Sequence, residues 1–115
     1  MTTELTAAEF KEILEDETLI NQDDLKMFRA FFTLDKHKGS TKTIVEMTGL
    51  RQINNRPYLI AKRIEKKRGV EFEYLIGNDD GKNMYWSLFF IGQKESNGFT
   101  WQLKPNLITA LKSQL

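Results

Sequence analysis

The chain has 115 residues, of which 40% are hydrophobic and 29% charged, and its formal net charge is +1. These values are typical of one soluble globular domain, residues 1–115. The absence of cysteine excludes disulfides, thiolate catalysis and cysteine-based zinc sites. The N-terminal segment lacks the pattern of a signal peptide, and no apolar run approaches the roughly 20 residues of a membrane span. We therefore expect a cytoplasmic protein that does not associate with membranes.

The near-neutral total conceals an uneven distribution of charge along the chain. The net charge is −5 over residues 1–30, +7 over residues 31–70 and −1 over residues 71–115. Basic runs are often only solvated helix faces. This one coincides with the helix-turn-helix pattern described below, which favours a surface that binds phosphates.

Residues 1–35 are predicted to form a helical support of two helices. A capping box at residues 6–9 begins the first helix, and the acidic residues 15–17 are unfavourable at its C-terminus, so we expect it to end early. Asn21 caps the second helix, which carries Asp23 and Asp24 in its first turn. The residues expected to face inward are Phe10, Ile13 and Leu14 in the first helix and Leu25, Phe28, Phe31, Phe32 and Leu34 in the second.

The central segment, residues 40–68, is interpreted as a helix-turn-helix. Ser40 caps its first helix, on which Ile44, Val45 and Thr48 share a face, and Gly49 ends it. The second helix begins at Asn54 or Asn55, has Pro57 in its first turn and ends at Gly69. Its packing face is predicted to hold Pro57, Ile60, Ala61 and Ile64, which leaves the opposite face basic.

After Gly69 the hydrophobic period changes from helical to alternating, which predicts strands over residues 70–76, 84–91 and 99–103. The second of these is apolar on both faces and is therefore expected to be central. Turns are predicted at residues 78–81 and 96–98, and a helix over residues 105–115 with Leu107, Leu111 and Leu115 inward. The predicted fold is α+β: a winged helix-turn-helix whose β region, residues 70–103, is an antiparallel hairpin or three-stranded sheet, followed by a C-terminal helix.

No group of residues forms a recognisable catalytic or metal-binding pattern. His37 stands between two lysines, as solvated or phosphate-contacting histidines often do, and the acidic residues at 71, 73, 79 and 80 suit turns and wet strand faces. We expect no enzyme activity, no catalytic or metal-binding residues and no cofactor.

The helix-turn-helix suggests a set of DNA contacts. Polar residues at the start of its second helix are placed to read bases, and surrounding cations to bind phosphates, with the turn at residues 78–82 acting as a wing. The base-reading candidates are Gln52, Asn54, Asn55 and Arg56, although Asn54 and Asn55 serve equally well as cap and turn residues. The phosphate candidates are Lys38, Lys42, Arg51, Tyr58, Lys62, Arg63, Lys66 and Lys82.

Trp86 and Trp101 are expected in the core, since aromatic residues at alternating strand positions usually are. The alternative is an aromatic surface on which an extruded or modified base stacks.

Several segments together carry a resemblance to a known family. They are TKTIVEMTGL, NNRPYLIAKRIEKKRG, YWSL at residues 85–88 and WQLKPNL at residues 101–107. Residues 25–115 resemble the winged-helix domains that accompany HNH nuclease domains in modification-dependent (type IV/IIM-like) bacterial restriction endonucleases. The resemblance implies DNA binding, in some members with a preference for N6-methyladenine, and a nuclease domain or subunit as partner. The single histidine departs from the nuclease itself, so the chain is expected to be a piece of a longer protein or a free-standing relative.

The leading hypothesis is therefore a winged-helix module that binds double-stranded DNA. Two alternatives stay open. One is a transcriptional regulator with the same fold, and the other is a protein-interaction module, such as a phage or mobile-element factor that binds a host protein. The opposite charges of residues 1–30 and 31–70 suit such an interaction and would also permit head-to-tail association, so the sequence leaves the oligomeric state open.

Overall fold

The computed structural model describes residues 4–77, 80–96 and 98–114. Within them the chain is a mixed α+β structure of five α-helices and short antiparallel strands. The helices are α1 Ala7–Glu15, α2 Gln22–Thr33, α3 Thr41–Thr48, α4 Arg56–Arg68 and α5 Pro105–Lys112. The strands are β1 Lys38–Gly39, β2 Leu75–Ile76, β3 Asn83–Met84, β4 Phe90–Glu95 and β5 Gly98–Leu103. None of the described helices is long and apolar enough to cross a lipid bilayer.

The helix boundaries follow the predicted caps. Reciprocal capping boxes begin α1, between Thr6 and Glu9, and α2, between Asn21 and Asp24. Ser40 accepts a hydrogen bond from the N–H of Thr43 at the start of α3. Gly49 and Gly69 end α3 and α4 with φ angles of 70° and 65°, in the left-handed region that glycine adopts without a Cβ clash.

The strands form two separate antiparallel sheets. The larger has the order β1-β5-β4, so β5 is central and β4 is an edge strand, with Gly92 opposite Trp101 and Glu95 opposite Gly98. The smaller consists of β2 and β3. The core is formed by residues from all five helices and from β4 and β5, and α2 packs against the inner face of the larger sheet. There Phe28 and Phe31 contact Phe90 at centroid distances of 5.9 and 4.8 Å.

The strands differ from their prediction in three ways. Only Leu75–Ile76 of the first expected strand pairs, although Phe72 and Tyr74 alternate inward as predicted. The second expected strand is interrupted, because residues 85–88 form a 3₁₀ turn between β3 and β4. Its expected central position is wrong, since β4 is an edge strand of the larger sheet. The turn predicted at residues 78–82 joins β2 to β3, although Asn78 and Asp79 fall outside the described residues. The third difference is strand β1, which lies between the predicted helical support and the predicted helix-turn-helix, where no strand was expected.

Two details of the helix-turn-helix also differ from the prediction. Val45 does not pack with Ile44: its exposed fraction is 42%, whereas Ile44 is fully buried. Asn55 occupies the N-cap position of α4 without a side-chain capping bond, because a 3₁₀ turn over Ile53–Asn55 leads directly into the helix. The predicted packing face of α4 is confirmed, since Pro57, Ile60, Ala61 and Ile64 are all buried. Leu115 lies outside the described residues, and Leu107 and Leu111 are buried as predicted.

Candidate nucleic-acid interface

The connection between α3 and α4 presents a row of polar side chains to solvent. Leu50 and Ile53 are buried and fix this connection to the core. Gln52 has a left-handed backbone, with φ of 59°, and is exposed. The other exposed residues of this row are Arg51, Asn54 and Asn55. Three of the four base-reading candidates, Gln52, Asn54 and Asn55, therefore share one exposed surface at the N-terminus of α4.

The fourth base-reading candidate, Arg56, is held inside the protein by Asp24. The Asp24 carboxylate has an exposed fraction of only 1%, and it accepts hydrogen bonds from Nη1 of Arg56 at 3.2 Å and Nη1 of Arg63 at 2.8 Å. The same Nη1 of Arg63 lies 2.8 Å from the carbonyl oxygen of Leu19. Both arginines thus join α4 to α2, and Arg63 also joins α4 to the α1–α2 loop. Because their guanidinium groups are engaged there, we leave Arg56 and Arg63 out of the candidate DNA contacts.

The C-terminal half of α4 meets the acidic residues of α1. Lys67 donates to the carboxylate of Asp16, and Arg68 lies 3.4 Å from Glu12 and 3.7 Å from Glu9. Hydrogen bonds from Lys67 and Thr18 lower the pKa of Asp16 to about 2. Much of the opposite charge in residues 1–30 and 31–70 is therefore paired within the chain.

The other flank of α4 contacts Phe72, Tyr74 and Tyr85. One carboxylate oxygen of Glu65 accepts the N–H of Phe72 at 3.0 Å and the hydroxyl of Tyr74 at 3.1 Å. Burial, with the Glu65 charge as a second cause, raises the pKa of Tyr74. Lys62 lies 3.4 Å from the second oxygen of Glu65, which raises the pKa of Lys62, and its Nζ stands 5.2 Å from the Tyr85 ring centroid. These contacts join Phe72, Tyr74 and Tyr85 to α4.

Tyr58 and Lys38, two of the phosphate candidates, also have partners within the chain. The Tyr58 ring meets the Tyr85 ring edge to face at 4.8 Å, with 39% of Tyr58 exposed. Lys38 binds Glu95 at 2.6 Å, which joins β1 to the end of β4 and lowers the pKa of Glu95.

Four basic residues of segment 31–70 form no ion pair within the described part of the chain: Lys36, Lys42, Arg51 and Lys66. All four are exposed. Lys42 lies on α3, Arg51 in the α3–α4 connection and Lys66 on the outer face of α4, the face that also carries Leu59 and Lys62. We define the outer surface as Lys42, Arg51, Gln52, Asn54, Asn55, Lys62 and Lys66. Lys82 is exposed but belongs to the β2–β3 hairpin.

His37 and the two tryptophans complete the set of residues selected from the sequence. The His37 ring stacks on Phe32 and its Nδ1 lies 2.7 Å from the Phe32 carbonyl oxygen, so it is partly buried rather than solvated. Trp101 lies in the core, as predicted, stacked on Phe90 at 4.9 Å. Trp86 is only partly buried. The described residues contain no group of three or more histidine, aspartate or glutamate side chains that could hold a metal ion.

Comparison with known proteins does not assign the chain to a family: no family model, curated protein or solved structure matches it. The resemblance carried by the sequence motifs therefore stays a hypothesis.

The ion-pair cluster of Asp24, Arg56 and Arg63, here called the Asp24 cluster, was not predicted from the sequence. Two signals for it are visible in retrospect. Asp24 follows the cap residue Asn21 at the spacing of a capping box, which turns its carboxylate back towards the helix end. Arg56 and Arg63 are seven residues apart, so they lie on the same flank of α4 beside the packing face. Neither signal shows that Asp24 pairs with these arginines, because Asp24 lies on α2 and the arginines lie on α4.

Proposed function

We propose that the protein binds double-stranded DNA as a winged helix, with the N-terminus of α4 in the major groove. The order of elements and the pairing of the larger sheet support this fold: α2, β1, α3 and α4 are followed by the β2–β3 and β4–β5 hairpins, and β1 pairs with β5 in a sheet of order β1-β5-β4. We assign the wing to the β4–β5 hairpin, because this hairpin shares a sheet with β1. The turn at residues 78–82, the wing expected from the sequence, belongs to the separate β2–β3 hairpin.

The observation that carries the proposal is the composition of the outer surface. Asparagine and glutamine pair bidentately with adenine, and Gln52, Asn54 and Asn55 are exposed at the helix end that enters the groove in helix-turn-helix proteins. Lys42, Arg51 and Lys66 surround them without ion pairs in the described residues, so these cations are available to phosphates. Arg56 and Arg63 act indirectly, since they hold α4 against α2.

The test is a titration of fluorescent duplex DNA at low and at physiological salt. Lys66→Glu is compared with Lys112→Glu, which makes the same charge reversal in the last turn of α5. We expect binding by the wild type to weaken steeply with salt, and Lys66→Glu to weaken it further and to reduce the log–log slope by about 1. Lys112→Glu should bind as the wild type does. Equal behaviour of the two variants, or no binding at low salt, refutes the proposal.

Base recognition is tested separately, by selecting preferred sites from a random duplex library. Asn54→Ala and Asn55→Ala should alter the selected sequence at one or two positions, whereas Lys66→Ala should weaken binding to all sequences alike. The resemblance adds a narrower hypothesis of N6-methyladenine recognition. Titration of a methylated duplex against its unmethylated twin tests that hypothesis, and equal affinity contradicts it without affecting general DNA binding.

One observation favours a second candidate, a protein-interaction module. Exposed apolar residues border the outer surface: Val45 and Met47 on α3 are 42% and 48% exposed, and Leu59 on α4 is 38% exposed. Apolar side chains in such a position suit a protein partner better than phosphates. Absence of DNA binding at low salt, together with self-association or a stable protein complex measured by light scattering, would favour this candidate.

A further inference from the structure

A second possible site lies away from the outer surface, in a cleft between the β2–β3 and β4–β5 hairpins. Its volume is about 660 Å³, within the range of small-ligand sites. Leu75 and Met84 line it on the side of the first hairpin, and Gly92 and Phe99 on the side of the second. Trp86, from the 3₁₀ turn that joins the two hairpins, also lines it. We call this space the aromatic cleft.

The aromatic rings of the cleft are held against the sheet by the absence of a side chain at Gly92. A Cβ at this position would lie 2.5 Å from the tip of Phe99 and would also overlap the Trp86 ring. Trp86 and Phe99 meet edge to face at 5.6 Å, and Trp86 lies 6.1 Å from Trp101 on its core side. Phe99 is 48% exposed. The aromatic surface formed by Trp86 and Phe99 is therefore open to solvent, and Trp86 is backed by Trp101.

Two cations stand among the residues that line this cleft. Lys82 and Lys94 are exposed, and neither forms an ion pair within the described part of the chain. The cleft also contains one carboxylate, Asp80, which accepts the backbone N–H of Lys82 at 2.9 Å. The cleft thus combines aromatic rings with a net positive charge, which suits a planar ring that carries an anionic group.

We propose that the aromatic cleft binds an unpaired nucleotide of single-stranded nucleic acid. The base stacks on Trp86 and Phe99, and the neighbouring phosphates pair with Lys82 and Lys94. Aromatic platforms flanked by cations bind single strands in this way, with little dependence on sequence, because every base has a face that stacks. The inference rests on the proposed function in taking nucleic acid as the partner, but it uses none of the residues of the outer surface.

The experiment follows tryptophan fluorescence during titration with an oligothymidylate of roughly ten nucleotides, a length typical of such sites. The chain has two tryptophans, and Trp101 is only 5% exposed, so quenching by a stacked base reports Trp86. We expect saturable quenching that weakens with salt. Phe99→Ala should reduce affinity roughly 5- to 150-fold, the loss found when one stacking ring is removed. Lys94→Glu should reduce both the affinity and its salt dependence.

Two matched variants separate the cleft from general effects. Ile91→Ala removes an equally exposed side chain from the opposite face of β4. Lys112→Glu makes a charge reversal on α5, which contributes no residue to the lining of the cleft. Both should bind the oligonucleotide as the wild type does. Circular dichroism spectra of all variants are compared with that of the wild type to check that each variant is folded. Unchanged binding by Phe99→Ala and Lys94→Glu refutes the inference, as does preferential binding of an acidic aromatic peptide in competition.

The same variants distinguish failure of the inference from failure of the proposed function. If Lys66→Glu loses duplex binding while the cleft variants retain it and the wild type binds no single strand, only the inference fails. If the wild type binds single strands through Phe99 and Lys94 but binds no duplex, the cleft is confirmed and the outer surface is not a DNA site. If neither form of DNA binds, both proposals fail.

Discussion

Asp24 of α2 and Arg63 of α4 are joined by an ion pair in which Nη1 of the arginine lies 2.8 Å from a carboxylate that is 1% exposed. The second carboxylate oxygen of Asp24 accepts a hydrogen bond from Arg56. The backbone N–H of Asn21 also donates to the Asp24 carboxylate, at 3.2 Å. Because Arg56 and Arg63 lie on one flank of α4, these bonds fix the rotation of the helix about its axis. That rotation turns Lys66 towards solvent.

Replacement of Asp24 by alanine should therefore destabilise the protein strongly. Removing one partner of a buried ion pair typically costs about 3–5 kcal/mol, and the lower end applies here because the Arg63 side chain keeps 33% of its surface exposed. We expect a loss of about 3 kcal/mol in the free energy of unfolding in urea. Asp23→Ala is the matched control. Asp23 also pairs with Arg56, but the distance is longer, 3.9 Å, and the side chain of Asp23 is 62% exposed. Equal stability of the two variants would show that the cluster contributes little.

The helices and their ends could be predicted because the causes are local. A cap residue and its partner three positions later, or a glycine after the last turn, act within a few residues of sequence, as Asn21 with Asp24 and Gly69 demonstrate. The packing face of α4 was predictable for a similar reason, since its spacing is set by the helix itself. The α+β class follows from these helices and from the alternating residues after Gly69.

The β region was harder to predict because alternation of apolar residues requires only an extended backbone. Phe72 and Tyr74 both face inward, but no strand pairs with them in the described residues. Instead, the N–H of Phe72 and the hydroxyl of Tyr74 donate hydrogen bonds to Glu65 on α4. In the run from 84 to 91, Phe89 donates to the carbonyl of Trp86, a bond between residues three apart that belongs to a 3₁₀ turn. Strand β1 has only two residues, too few for a periodic signal.

The exposed polar residues of the candidate site could be predicted, but the pairing of its basic residues could not. As in the β region, contacts between residues distant in sequence decide the outcome. Gln52, Asn54 and Asn55 are exposed because the connection they occupy is short and lies on the surface. Whether a basic residue is free or paired depends on side chains distant in sequence. Arg63 meets a carboxylate 39 residues away, whereas Lys66, three residues later, points outward.

Stability in acid should depend on Asp16, which joins the α1–α2 loop to Lys67. Its pKa is about 2 in the folded protein and about 3.8 when unperturbed. A carboxyl group whose pKa is lowered by folding stabilises the protein above its unfolded pKa, and this contribution disappears as the pH falls through the folded pKa. Asp16→Asn should therefore be less stable than the wild type at neutral pH, and the difference should vanish between about pH 4 and pH 2.

Urea unfolding at a series of pH values measures this difference. The control is Glu17→Gln, a neighbouring exposed side chain, which should leave the pH profile of the wild type unchanged in that interval. Added salt should reduce the effect of Asp16→Asn because the pair with Lys67 is reached by solvent. A constant difference between wild type and Asp16→Asn down to pH 2 would contradict the assignment.

Gly92 should be intolerant of any side chain, since both rings of the aromatic cleft occupy the space in front of its Cα. In Gly92→Ala the new methyl group meets the tips of Trp86 and Phe99. Phe99 is half exposed and can move outward, whereas Trp86 is restrained by Trp101 behind it. We expect a loss of about 1 kcal/mol in the free energy of unfolding, the lower end of the range for overpacking, and a red shift of tryptophan emission as Trp86 is displaced. Adding Phe99→Ala to this variant should recover part of the stability, because one of the two clashing rings is then absent. If Gly92→Ala is as stable as the wild type and emits at the same wavelength, the rings are mobile, and the fixed platform on which a base would stack does not exist.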